Sequence, residues 1–212
     1  MAHNLDVYGR TMHLLDRHPA IQNRNMKKNS LIAFLVLVFI TSGIGQTNPF
    51  QIALDPMTIP DLGGVQAFAF GLHQEKFLVI GGRLDGLHRR QPWASFDEAG
   101  HNNQLMVVDP EAQQVWTAPL TSLPIGIQEQ LSATNMEFLQ DDDYLYIIGG
   151  YGYSPSEDDH ITYPNLTAVN VSNVVEAIIN ETDFETYFRQ ITDEKFAVTG
   201  GYLNKIYNTF KV

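Results

Sequence analysis

The feature that most constrains this chain is a repeat. "VQAFAFGLHQEKFLVIGG" occupies residues 65–82, and "ATNMEFLQDDDYLYIIGG" occupies 133–150. Each reads as two short apolar strands split by a polar turn and closed by a glycine pair, first Gly81-Gly82 and then Gly149-Gly150. The turns are expected at His73-Gln74-Glu75-Lys76 and Gln140-Asp141-Asp142-Asp143. Residues 77–80 and 144–148 are β-branched and aromatic with little polar interruption, which suits strands buried on both faces. The step from Gly81 to Gly149 sets the period of the repeat. A unit of this kind cannot bury its apolar faces alone, so units stack. Gly200-Gly201 is out of phase as a third copy. "YLNKIYNTFKV" (202–212) fits better, with Phe210 opposite Phe77 and Leu145. On that alignment the next glycine pair falls beyond Val212, and the expectation is a chain cut short within a unit.

The pattern continues between the repeats. A long polar loop spans 83–103. "NQLMVVDPEAQQVWTAPL" then reads as a strand at 105–108, an Asp109-Pro110 turn and a strand at 114–117. The second unit has a matching loop at 151–164 and a strand at 166–171. "SNVVEAIIN" (172–180) is inserted there with helical spacing of Val174, Val175, Ile178 and Ile179, and Asn173 stands three before Glu176 as in a capping box. "FETYFRQI" (184–191) supplies a fourth strand.

Four strands per unit, a glycine pair ending the second, a Val108-Asp109-Pro110 turn and Trp116 in the fourth resemble the kelch repeat. The second unit keeps only Gly149-Gly150 of that signature. The resemblance covers 65–212. It implies an all-β fold, a kelch-type β-propeller with two four-stranded blades, the start of a third, and one short helical insert near 173–180. A propeller has about four to eight blades, so missing blades or another chain are expected to close it.

The N-terminal part points to export. Met26-Lys27-Lys28 begins a positive stretch, 31–40 is an unbroken apolar run, and Gly43-Ile44-Gly45 puts small residues at −3 and −1 of a cut before Gln46. That is the order of a signal peptide, and the run is short of the roughly 20 residues a transmembrane helix needs. The expected organisation is an upstream non-native extension at 1–25, a signal peptide at 26–45, a Pro- and Gly-rich lead-in at 46–64, and the repeat region at 65–212. Of 13 basic and 24 acidic residues, five and two precede Gln46, which leaves a net charge of −14 afterwards. So acidic a chain lacks the basic face that nucleic-acid binding requires. There is no cysteine. That excludes disulfides, thiolate metal sites and a lipoprotein anchor, so no membrane anchor is expected after cleavage. The expected location is periplasmic or extracellular, in a bacterium.

Candidate chemistry lies in the loops. The first holds Arg83, His88, Arg89, Arg90, Trp93 and His101, cations and an aromatic suited to a carboxylate or a sugar ring. It also holds Asp85, Asp97 and Glu98, which are equally partners for its own arginines. The second loop offers Tyr151, Tyr153, His160 and Tyr163, either for carbohydrate stacking or to cover sheet edges. The histidines have no metal-ligand spacing, Asp141–Asp143 reads as a turn, and no metal or cofactor is expected. The expected role is a protein- or glycan-binding module with no identifiable catalytic site. Secreted kelch-like propellers include galactose oxidase, whose Tyr–Cys cross-link is impossible here, and a sialic-acid mutarotase. A sugar-active enzyme of the latter type is the alternative, with an arginine gripping the carboxylate. N-terminal sequencing of the exported protein is expected to begin at Gln46. A native peptide from 1–25 would overturn the assignment of Met26 as the start.

Overall fold

The computed structural model describes residues 52–86 and 95–212. The chain divides into two units, Met1–Asp55 and Pro56–Val212, and every element below belongs to the second. The expected upstream extension, signal peptide and first lead-in residues lie outside the described residues.

Strict alternation builds the first sheet. Strands β1 (Ala69–His73), β2 (Lys76–Ile80), β3 (Gln104–Asp109) and β4 (Gln114–Pro119) form an antiparallel meander in that order. Leu78, Ile80, Leu105 and Val107 point to one face, while Phe77, Val79, Met106 and Val108 point to the other. Gln74 and Glu75 alone make the β1–β2 loop. They sit at φ +47° and +62°, the left-handed pair that matches the twist of a tight hairpin. The Asp109 carboxylate closes the next turn, accepting from Ala112 N–H at 2.9 Å and pairing with Lys76 at 3.2 Å. Trp116, opposite Val107 in the ladder, packs against the main core.

A short helix, α1 (Ile125–Leu131), leads to the second unit. There β5 (Glu137–Asp141) and β6 (Tyr144–Ile148) repeat β1 and β2 residue for residue, at the offset that carries Gly81 onto Gly149. The chain then makes a separate hairpin, β7 (Tyr151–Ser154) with β8 (Asp159–Thr162), before β9 (Asn165–Asn170), α2 (Val171–Ile179) and β10 (Phe188–Thr192). The second sheet has the order β10-β9-β6-β5, a meander of the same kind with two inserts. Finally β11 (Asn204–Ile206) and β12 (Thr209–Lys211) form a hairpin, with Phe210 at the place of Phe77 and Leu145. The described chain is mostly antiparallel β.

The units are joined by one recurring set of backbone hydrogen bonds. Gly82 N–H donates to Ala133 O at 2.8 Å, and Gly150 N–H donates to Val198 O at 2.9 Å. Asn135 N–H donates to Ala67 O at 3.1 Å, and Gly200 N–H donates to Asn135 O at 3.0 Å. Ala67, Asn135 and Gly200 all have φ between 53° and 74°. Unlike faces meet across the joint. Leu145 and Ile147 share a core with Leu78 and Ile80, whereas their equivalents, Phe77 and Val79, belong to the opposite face of the first sheet. That opposite face carries a cleft of about 470 Å³ between Phe70, Phe77, Val79 and Val108 and the lead-in residues Ile59 and Leu62.

Several expectations change. Of the four residues expected to turn at 140–143, only Asp142 and Asp143 do, in the register of Gln74-Glu75; Gln140 and Asp141 belong to β5. The segment 151–164 is a hairpin rather than a loop. The α2 cap is Asn170, whose side chain accepts from Asn173 N–H at 3.1 Å; Asn173 is inside the helix, so it is no cap for Glu176. The strand expected at 184–191 starts at Phe188, after a 3₁₀ turn at Glu185–Tyr187. Helix α1 has no counterpart among the expectations.

The glycine pairs carry the joint. Gly81 has φ +66°, and a Cβ there would stand 2.6 Å from Ala133 O and 2.8 Å from Leu131 O. Gly149, at φ +64°, faces Val198 O and Phe196 O in the same way. By contrast, a Cβ on Gly64 would meet nothing within 4 Å. Urea denaturation is expected to show Gly81→Ala and Gly149→Ala each losing more than about 2 kcal/mol, with Gly64→Ala within about 0.5 kcal/mol of the wild type.

Candidate functional site

The residue that follows each glycine pair has the same backbone role and a different chemistry. Arg83 exchanges N–H···O bonds with Gln66, and Tyr151 exchanges them with Thr134 at the equivalent place in the second unit. Both side chains therefore emerge at the same end of their sheets. The hairpin β7–β8 brings Tyr153 and His160 to that end, beside the returning part of the first unit's loop.

Arg83 is turned inward. Its side chain is 2% exposed. Its Nε and one terminal nitrogen clasp the Asp85 carboxylate at 2.9 and 2.6 Å, and the same nitrogen donates to Asp97 O at 2.9 Å. The other terminal nitrogen has no hydrogen-bond partner. Of the acids expected to pair with the loop's arginines, Asp85 does so through its carboxylate and Asp97 through its backbone carbonyl. The clasp holds the Asp85 carboxyl below the usual carboxylate range. Packed this way, Arg83 braces the loop and has two of its three nitrogens already committed.

The aromatic residues form a continuous ladder. The Arg83 guanidinium lies 5.6 Å from the Phe96 ring. Phe96 meets Tyr151 edge-on at 5.2 Å, Tyr151 stacks on His160 at 6.0 Å, and His160 meets Tyr153 edge-on at 5.5 Å. His160 Nε2 lies 3.0 Å from Phe96 O; a carbonyl only accepts, so this nitrogen carries the proton. The Tyr153 hydroxyl donates to Asp158 at 2.5 Å, which raises its pKa. Tyr163 stands apart. It is buried, its hydroxyl donates to Tyr153 O at 3.0 Å, and burial pushes its pKa up. His88, Arg89, Arg90 and Trp93 lie outside the described residues.

Two adjoining hollows open beside the ladder and share Glu98 and Tyr153 as lining. One, about 300 Å³, reaches Ser95, Asp97 and His160. The other, about 210 Å³, reaches His101, Gln128 and Glu129. Glu129 is buried and saturated: Ser154 Oγ donates at 2.6 Å, and Ser156 donates through its N–H at 3.1 Å and its Oγ at 2.5 Å. His101 is 5% exposed, and its Nε2 has no hydrogen-bond partner. Burial, with Arg83 next, lowers its pKa to about 4. The imidazole is therefore neutral near pH 7. Among the described residues no group of three acids and histidines is placed to hold a metal.

Sequence reasoning brought Tyr151, Tyr153 and His160 forward, and the structure groups them. It missed Phe96, Glu98 and Glu129 as parts of the site. Glu129 enters through α1, which is too short for apolar periodicity to announce. No protein-family model matches the chain, and no curated protein is significantly similar to it.

The unfolded chain protonates His101 near pH 6.5 and the folded chain only near 4. Stability is therefore expected to be undiminished above 6.5 and to fall by about 3 kcal/mol as pH drops through that window. Asp85 acts in a separate window, since its depressed carboxyl protonates only at lower pH. Denaturation series at pH 7, 5.5 and 4.5 are expected to show this loss, and His101→Gln should flatten it.

Proposed function

We propose that this chain forms part of an exported kelch-type β-propeller that binds a glycan or a protein surface through the loop cluster around Tyr151, Tyr153 and His160. The observation that carries the fold half of this reading is the recurrence of the inter-unit hydrogen bonds. Gly82 to Ala133 is followed by Gly150 to Val198, and Ala67 to Asn135 is followed by Asn135 to Gly200. Units that add by presenting one face and receiving on the opposite one suit a ring of blades. The apolar cleft on the first sheet occupies the register position that, in the second sheet, is covered by its predecessor. A further blade, from this chain or another, would cover it in the same way.

The binding half rests on the ladder and its rim. The half-buried rings of Tyr151 and Tyr153, with His160 exposed beside them, offer apolar contact to sugar C–H faces, and Asp97, Glu98 and Asp158 offer acceptors for hydroxyl donors. A sialic-acid-type enzyme is less well supported. Its carboxylate would need a free arginine, and Arg83, the one loop arginine among the described residues, is clasped by Asp85. The described carboxylates at this end, Asp97, Glu98 and Asp158, would also repel an acidic sugar.

Capture of neutral oligosaccharides by the exported protein, read by titration calorimetry, is expected to weaken about tenfold in Tyr153→Ala, the loss of one stacking contact of roughly 1.4 kcal/mol. Leu84→Ala, an exposed change near the loop, should leave capture unaltered. Absence of capture across a broad panel of neutral glycans would defeat the glycan reading.

A further inference from the structure

The recurring joint leaves two unmatched ends. Asn135 N–H donates to Ala67 O, and Gly200 N–H donates to Asn135 O. Among the described residues the same line stays open at Ala67 N–H, which has no acceptor, and at Gly200 O, which has no donor. Each end carries the group that the other lacks.

The side chains at the two ends match as well. At the first joint the Gln140 side chain accepts from Leu72 N–H at 2.6 Å and donates to Leu72 O at 2.9 Å. At the second joint Lys205, in the place of Gln140, pairs with Asp141. Both are polar clamps. Carried one step further, the pattern sets Leu72 of a following unit against Ile206, and these are apolar side chains 47% and 51% exposed. Phe77 then takes the place of Phe210, which packs on Tyr146 at 4.9 Å. Lys211 takes the place of Tyr146, and an ammonium suits a ring face.

The shapes agree too. The face of β11–β12 turned away from Tyr146 carries Asn204, Ile206, Thr209 and Lys211, all exposed. It is two strands wide. The opposite face of the first sheet needs no wider cover, because Ile59, Leu62 and Val65 already pack on Val79, Met106 and Val108. The large apolar side chains left exposed there are Phe70 and Leu72, both on β1.

Resting on the unit-by-unit addition proposed above, we propose that a second copy of this chain covers the first sheet, head to tail. Its β11–β12 hairpin lies on β1 and β2. Its Gly200 O accepts from Ala67 N–H, its Ile206 meets Leu72, and its Lys211 lies over Phe77. The contact uses different surfaces of the two copies, so it repeats until a ring closes.

The test is sedimentation equilibrium of the exported protein, with amide exchange read on the same samples. The wild type is expected to associate at micromolar concentration. Leu72→Asp and Ile206→Asp are each expected to weaken association about a hundredfold, since each puts an unpaired carboxylate into an apolar contact. Both positions are exposed, which makes both variants safe for folding. Mixed together, the two variants keep one intact contact, and a pair that grows no further is expected. Ala67 N–H should exchange more slowly in the wild-type assembly than in either variant alone. A monomer at every concentration, with the Gly82 and Gly150 amides still protected, would overturn the second copy and leave unit addition standing. Unprotected amides at Gly82 and Gly150 would overturn unit addition as well. Association that survives both variants, or that is lost in Leu72→Asp and kept in Ile206→Asp, would overturn the head-to-tail contact.

Discussion

Everything in this fold depends on how closely one unit's backbone approaches the next. The donors from Gly82 and Gly150, and the line from Ala67 through Asn135 to Gly200, are main-chain bonds at 2.8 to 3.1 Å. Bonds of that length between segments so distant in sequence leave no room for a side chain at Gly81 or Gly149. Once the backbones meet, the faces of the sheets must meet as well, and Leu78, Ile80, Leu145 and Ile147 are completely removed from solvent. Burial of each such side chain is worth about 1.5–3 kcal/mol, but the glycine pairs set the geometry in which that burial is possible.

Much of the fold was legible because register is periodic. The apolar runs at 77–80 and 144–148 each end in a glycine pair at one offset, and that located the second strand of each unit; the polar turn before the second run was read one residue early. The third hairpin was legible through Phe210 alone, by a slightly shorter offset. Local chemistry was less readable. The stretch 151–164 has the polar look of a loop, yet Tyr151, Tyr153 and Ile161 alternate well enough to pair. Asn170 and Asn173 both have the side chain of a cap, and only the end of β9 decides between them. Gln130 gives no sequence signal at all, although it is fully buried and ties α1 to Asn165 O at 3.0 Å and to Thr167 Oγ1 at 2.6 Å.

The site was half legible for a related reason. Composition marks where aromatics and charges are concentrated, so Tyr151, Tyr153 and His160 stood out. It does not say which charges neutralise each other. Arg83 has the look of a ligand-gripping residue until Asp85, two positions on, takes its guanidinium. Among the described residues of the loop, the carboxylates of Asp97 and Glu98 are left facing no arginine side chain.

The two inserts of the second unit sit at opposite ends of its strands. The β7–β8 hairpin follows β6, and α2 follows β9, which runs the other way. The hairpin lines the hollows beside the ladder, while α2 touches all four strands of the first sheet and buries Val171 against Gly71. Both ends are thus tied to what precedes them, the hairpin through Gly152 against His101 and Ala133 and through the Tyr151–Thr134 bridge, α2 through Val171. A lineage could lengthen or recharge only the tip of the hairpin, around 155–158, without disturbing those ties.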